Sequence, residues 1–123
     1  MKYLILIYSN PDSRKVWESF SDAERAEGYR YYAALTDALA ESGELIVSEA
    51  LADASQAKHV EVRAGETIAS DGPFVEAKEH LAGFFLLECD TIDRAVEIAA
   101  RMPEAEYGLV EVRPVMTLTG TDR

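Results

Sequence analysis

The chain has 123 residues, 48% of them hydrophobic and 28% charged, which fits one globular domain burying roughly two-thirds of the surface its unfolded form exposes. Asp and Glu number 23 against 12 Lys and Arg, a formal charge of -11. That balance repels phosphate backbones and anionic membranes and argues against nucleic acid as a direct partner. The single cysteine, Cys89, excludes an internal disulfide and a cysteine-based zinc centre, and its apolar surroundings read as core.

Tyr3 to Tyr8, YLILIY, is a β-rich run closed by Ser9, Asn10 and Pro11, too short for a signal h-region or a membrane span. It predicts a strand buried on both faces, and the chain is expected to be cytoplasmic, with no membrane partner. Arg14 to Phe20 reads as a short helical piece. Ser21 and Glu24 form a capping box that opens a longer helix from Asp22 to about Glu41, with an apolar stripe along Ala26, Tyr29, Ala33, Thr36, Leu39 and Ala40. Gly43 stops that helix, because glycine tolerates the left-handed conformation found at many helix ends.

Glu44 to Leu51 predicts a second strand, and Ala52 to Ala57 a loop. Lys58 to Arg63 alternates, Val60 and Val62 on one face and His59, Glu61 and Arg63 on the other, as a half-exposed antiparallel strand does. Ala64-Gly65 turns it back into Glu66 to Ser70. Asp71-Gly72-Pro73 breaks the pattern, and Phe74 to His80 reads as a loop or a single helical turn. Leu81 to Cys89, LAGFFLLEC, is again nearly continuous apolar strand. Thr91 caps a helix from Ile92 to Met102, with Ile92, Ala95, Val96 and Ala99 on its apolar stripe and Asp93, Arg94, Glu97 and Arg101 facing water. Leu109 to Met116 is the last strand, and Pro114 marks a sheet edge or a strand end, since it lacks a ladder donor.

The order strand, helix, strand, hairpin, strand, helix, strand predicts an α+β fold, a ferredoxin-like α/β sandwich with an antiparallel sheet and its helices on one face. One domain is expected over residues 1–116, with a mobile tail over 117–123. The strands at 3–8 and 81–89 are apolar on both faces, yet two helices can cover only one face. A homodimer with sheets packed face to face would bury the other.

The densest chemical signal is Ser70-Asp71-Gly72-Pro73-Phe74. It reads as a turn in which Asp71 bonds nearby backbone and Phe74 plugs the core. It also reads as a site in which Asp71, beside an aromatic ring, acts as a general acid or base. His80, close behind Lys78 and Glu79, is a structural residue or a general base paired with a carboxylate. His59 reads as solvent-facing. Two histidines without HxH or HExxH spacing predict no metal, and no cofactor is expected. Gly28, beside Tyr29, Arg30, Tyr31 and Tyr32, costs a helix interior about 1 kcal/mol relative to alanine and points to the close approach of a backbone or a ligand. Tyr29 and Tyr32 are core residues, or they line a pocket with Arg30. Dinucleotide, P-loop, serine-hydrolase and CxxC patterns are absent from the sequence.

SDGPFVEAKEHLAGFFLLE, together with MKYLILIY and VEVRPV, resembles the YCII-related family, specifically its DGPF branch, from Met1 to about Val115. The motif is carried by Asp71 to Phe74 followed by Glu76, Lys78 and Glu79. The resemblance implies a dimeric α+β barrel. It also implies a small-molecule ligand, aromatic or polar, with a His and Asp pair at a pocket in some relatives. The Asp of that pair matches Asp71, whereas the first long helix here holds no histidine. The family's pair therefore does not carry over; by residue type and position, Asp71 and His80 are the expected catalytic residues, and Tyr29, Arg30, Tyr32, Phe74 and Lys78 the expected ligand contacts. The branch's frequent association with extracytoplasmic-function sigma factors implies, alternatively, a non-catalytic accessory or regulatory role.

Overall fold

The computed structural model describes residues 1–74 and 77–118. The expectations for Val75 and Glu76, and for residues 119–123 of the tail, lie outside the described residues. Four strands, β1 (Lys2–Ser9), β2 (Leu45–Ala50), β5 (His80–Glu88) and β6 (Val110–Pro114), form one antiparallel sheet in the order β2-β5-β1-β6. Between β2 and β5 the chain makes a separate hairpin of β3 (Lys58–Arg63) and β4 (Glu66–Asp71). Three helices complete the fold: α1 (Pro11–Ser19), α2 (Asp22–Glu41) and α3 (Ile92–Ala99). This is the predicted ferredoxin-like arrangement with a hairpin inserted between its second and third sheet strands.

Local chemistry sets the ends of the elements. Asn10 and Ser21 both make reciprocal capping boxes, with Ser13 and Glu24 respectively, satisfying backbone N–H groups that a helix start leaves unpaired. The Asn10 box and Pro11 start α1 three residues before the predicted Arg14. Thr91 caps α3 through the Arg94 N–H. Ala64 and Gly65 both carry positive φ, 49° and 80°, the tight turn that matches strand twist in a hairpin. Pro114 ends β6, an edge strand. The predicted loop at 52–57 contains a 3₁₀ turn, Ala54–Gln56, capped by Asp53, and a second such turn, Pro103–Tyr107, precedes β6.

The core lies between the sheet and the helices: Ile5 and Ile7 of β1, Phe85 and Leu87 of β5, Leu35 and Leu39 of α2, and Ile98, Ala99 and Met102. Cys89 is buried beside Tyr3 and Ala95. Two predicted stripes need correcting. In α2 the inward line is Tyr32, Leu35, Thr36 and Leu39, while Tyr29, Ala33 and Ala40 are exposed; the larger Leu35 draws the helix round so that its own face meets the sheet. In α3 the buried set is Ala95, Ile98 and Ala99, leaving Ile92 and Val96 exposed. The approach to Gly28 is also identified: the Trp17 ring, where a Cβ at Gly28 would stand 3.4 Å from Trp17 Cζ3.

The reverse face of the sheet, carrying Leu4, Leu6, Phe84 and Leu86, is only half-buried. The hairpin strand alternates, but in the opposite sense to that expected: His59 and Glu61 are half-buried, and Val60 and Val62 are largely exposed. Midway along β5, Gly83 lies opposite Ala50, and a Cβ there would stand 2.9 Å from the Glu49 carbonyl oxygen. Next to it, the β1–β5 register shifts between Ile7 and Tyr8, a bulge that bends the strand end.

Gly83→Ala should force β2 and β5 apart and destabilise the fold by about 1–3 kcal/mol, as overpacking does, measured by urea unfolding. Leu87→Ala, at a fully buried position, should cost about 2–5 kcal/mol.

Candidate functional site

Beyond Gly83 and the bulge, β2 ends and β5 begins. A cavity of about 420 Å³ opens there. One wall is Leu51 to Ala54 with Gln56 and Ala57, the second is Pro73, Phe74 and Ala77, and the third is Glu79, His80 and Leu81. The Leu51 N–H donates to the Ala82 carbonyl at 2.8 Å, and the Gly72 N–H donates to the Ala57 carbonyl at 2.7 Å, tying the three segments together. Gly72 has φ +89°, a conformation that glycine adopts without a Cβ penalty, and this turn directs Pro73 and Phe74 to the cavity.

Leu51, Phe74 and Leu81 are 45%, 68% and 39% exposed, so the cavity presents apolar side chains to whatever enters it. The rings of Phe74 and His59 meet edge to face, 4.5 Å between centroids. His59 is therefore half-buried against the DGPF turn, where the sequence placed it facing solvent. Asp53 supplies the cavity's best-anchored polar group. Its Oδ2 accepts from the Ser55 N–H at 3.0 Å and its Oδ1 lies 3.0 Å from Arg14 Nη2. The Ser55 hydrogen bond first, and then Arg14 and His80, hold the Asp53 pKa below its ordinary value.

The expected site residues divide between places. His80 and Phe74 line the cavity. Asp71 ends β4 opposite Lys58 and is ion-paired with it at an exposed position. Lys78 is exposed beside the cavity-lining Glu79. Tyr29 packs edge-on against Trp17, 5.4 Å between centroids, and Arg30 pairs with Glu27 at 2.8 Å. Tyr32 stacks on Phe85 and donates its hydroxyl to Glu104; burial, reinforced by that carboxylate, raises its pKa. None of these three is a cavity wall. Sequence reading missed Asp53 and Arg14, whose only local signal was an Asp two residues before a Ser, the spacing of an Asx turn.

A second hollow, of about 520 Å³, lies between Ser42–Glu44, Glu88–Thr91 and Arg94. Its arginine and one of its carboxylates satisfy each other. Arg94, expected to face water, donates Nε and Nη2 to the two oxygens of Glu44, each at 2.9 Å, and Ser42 Oγ donates to Glu44 at 2.8 Å. This fork joins α3 to the start of β2. The Arg94 bonds above all hold Glu44 far below its usual range, at about 2. Among the described residues, no three His, Cys, Asp or Glu side chains converge to hold a metal ion. No helix among them is long and apolar enough to cross a membrane.

Residues 1–119 match the YCII-related domain. An uncharacterised protein of Rhizobium meliloti strain 1021 is 35% identical over 117 residues, covering 94% of this chain and 92% of that one. The chain belongs to the YCII-related family. Among solved structures it is similar to the 5-chloro-2-hydroxyhydroquinone dehydrochlorinase of Burkholderia phenoliruptrix AC1100, determined in complex with 2,5-dihydroxybenzoquinone. The TM-score is 0.52 at 17% identity, over 99% of this chain and 100% of that one. At that identity the likeness is one of fold, and it agrees with the antiparallel α+β arrangement of this YCII-related domain.

The Glu44–Arg94 fork carries a pH prediction. A carboxylate whose pKa is depressed on folding adds stability that is complete above its unfolded value and lost as pH falls through its folded value. For Glu44 that window runs from 4.5 down to about 2. Glu44→Gln should be less stable than the parent protein at pH 7, and the gap should narrow between those limits in urea titrations.

Proposed function

We propose that this YCII-related protein binds a small, planar, oxygen-bearing organic molecule in the cavity between the DGPF turn and the Ala54–Gln56 turn. The observation that carries the reading is the combination in one hollow of exposed Leu51, Phe74 and Leu81 with the imidazole of His80. Ligand sites typically join apolar walls to a few placed polar groups. The dehydrochlorinase of the same fold was determined with a hydroxylated quinone, a ligand of that size and character.

In this reading His80 is the acid–base group, since it faces the cavity and imidazole exchanges a proton near neutral pH. Asp71, fixed by Lys58, holds the turn that aims Phe74 at the ligand. Tyr29, Arg30 and Tyr32 belong to the scaffold, because each is engaged with Trp17, Glu27 or Glu104. The working form is a homodimer, in which a second copy covers Leu4, Leu6, Phe84 and Leu86. Apolar side chains in that number on one sheet face are the usual mark of a partner surface.

Thermal-shift measurements test the pocket. Phenols or hydroxyquinones should raise the melting temperature of the parent protein and leave a folded Leu81→Arg variant, whose side chain fills the hollow, unmoved. Equal stabilisation of both would reject the cavity as the site. Sedimentation tests the assembly: the parent protein should run at twice the chain mass at micromolar concentration and Leu86→Glu at the single-chain mass. A single-chain mass for the parent protein would refute the dimer.

A further inference from the structure

The groups that face the cavity are unevenly charged. Of its lining residues among those described, Asp53 and Glu79 carry carboxylates, His80 an imidazole, and none is a lysine or arginine. The nearby cations lie outside the lining, and two of them are committed to partners: Arg14 pairs with Asp53 from α1, and Lys58 pairs with Asp71. Lys78 is exposed next to Glu79.

Asp53 is also held from two sides. One oxygen accepts the Ser55 N–H at 3.0 Å and the other faces Arg14 at 3.0 Å. Each carboxylate oxygen has two lone pairs, so each still has capacity for a ligand, and the side chain is 42% exposed. A carboxylate fixed by a backbone donor and a guanidinium makes a pre-oriented acceptor that costs little ordering on binding.

We infer that Asp53 is the ligand-anchoring group of this cavity, accepting a hydrogen bond from a ligand hydroxyl or ammonium and turning away ligand carboxylates. The inference rests on the cavity reading above and narrows it to donor-bearing aromatic molecules, with aromatic acids excluded. A ligand hydroxyl would complete Asp53's hydrogen bonding, and the ring would lie against Leu51, Phe74 and Leu81. A ligand carboxylate would instead meet the like charges of Asp53 and Glu79, a juxtaposition that disfavours binding. The depressed pKa of Asp53 means that this acceptor stays ionised throughout the neutral range.

The test compares hydroquinone, benzylamine and benzoate, ligands of similar ring size, by chemical-shift titration of the isotope-labelled protein. Hydroquinone and benzylamine should bind at least about tenfold more tightly than benzoate, a discrimination of the size that one unfavourable charge contact produces. In Asp53→Asn, which keeps the capping bond to Ser55 because asparagine caps as aspartate does, the preference should shrink to within about threefold. Benzoate binding as tightly as the other two, or an unchanged preference in Asp53→Asn, overturns the anchoring role and leaves the cavity reading standing. No binding by any of the three overturns the cavity reading and this inference together. The parent protein's own affinity ratio decides the matter should the variant fail to fold.

Discussion

Everything in this fold hangs on the antiparallel pairing of β1 with β5. These two strands form the middle of the sheet, and their alternate residues Ile5, Ile7, Phe85 and Leu87 make the floor on which α2 and α3 sit. Hydrophobic burial is worth about 25 cal/mol per Å², and the largest fully buried side chains, Ile5, Leu39, Leu87, Ile98 and Met102, are all committed to this one layer. The period-2 geometry that aims those residues at the helices aims Leu4, Leu6, Phe84 and Leu86 the other way. The sheet thus carries two apolar faces as a consequence of one strand pair, and the chain's own helices occupy one of them.

The same pairing positions the cavity. Two irregularities fall close together: the register shift between Ile7 and Tyr8, and Gly83, where the Glu49 backbone comes too near for a side chain. A regular ladder would continue β2 and β5 side by side. Here β2 ends at Ala50, and the chain leaves for the Asp53 turn and the hairpin before returning at His80. The space between the departing and returning segments is the hollow. Its shape follows from an insertion at a bend, held by main-chain bonds from Leu51 to Ala82 and from Gly72 to Ala57.

How much of this was legible in the sequence depended on the range of the signal. The capping box at Ser21, the N-cap Thr91, the Ala64-Gly65 turn and the edge position of Pro114 rest on neighbours within four residues, and each matches the fold. The helix faces were harder. A 20-residue helix with small and aromatic residues all round, such as α2, has no steep apolar gradient, so its rotation was settled by Leu35 and Leu39 meeting the sheet. Trp17 over Gly28 and Arg94 on Glu44 are contacts between elements, which no periodicity encodes. The site was half visible for the same reason. His80 and Phe74 stood out by residue type, whereas Asp53 drew no notice because its partner Arg14 lies on a different element.

The DGPF turn is accordingly best understood through its connections. Asp71 is tied to Lys58 at the base of the hairpin, Gly72 to the Ala57 carbonyl, and Phe74 lies against His59. Three consecutive features of one short motif thus reach three parts of the 57–59 segment, and the motif clamps the hairpin to the cavity wall. A motif built this way is needed for geometry whether or not any of its side chains touches a proton. The motif shapes one wall, and the ionisable groups of the hollow, Asp53, Glu79 and His80, come from the other two.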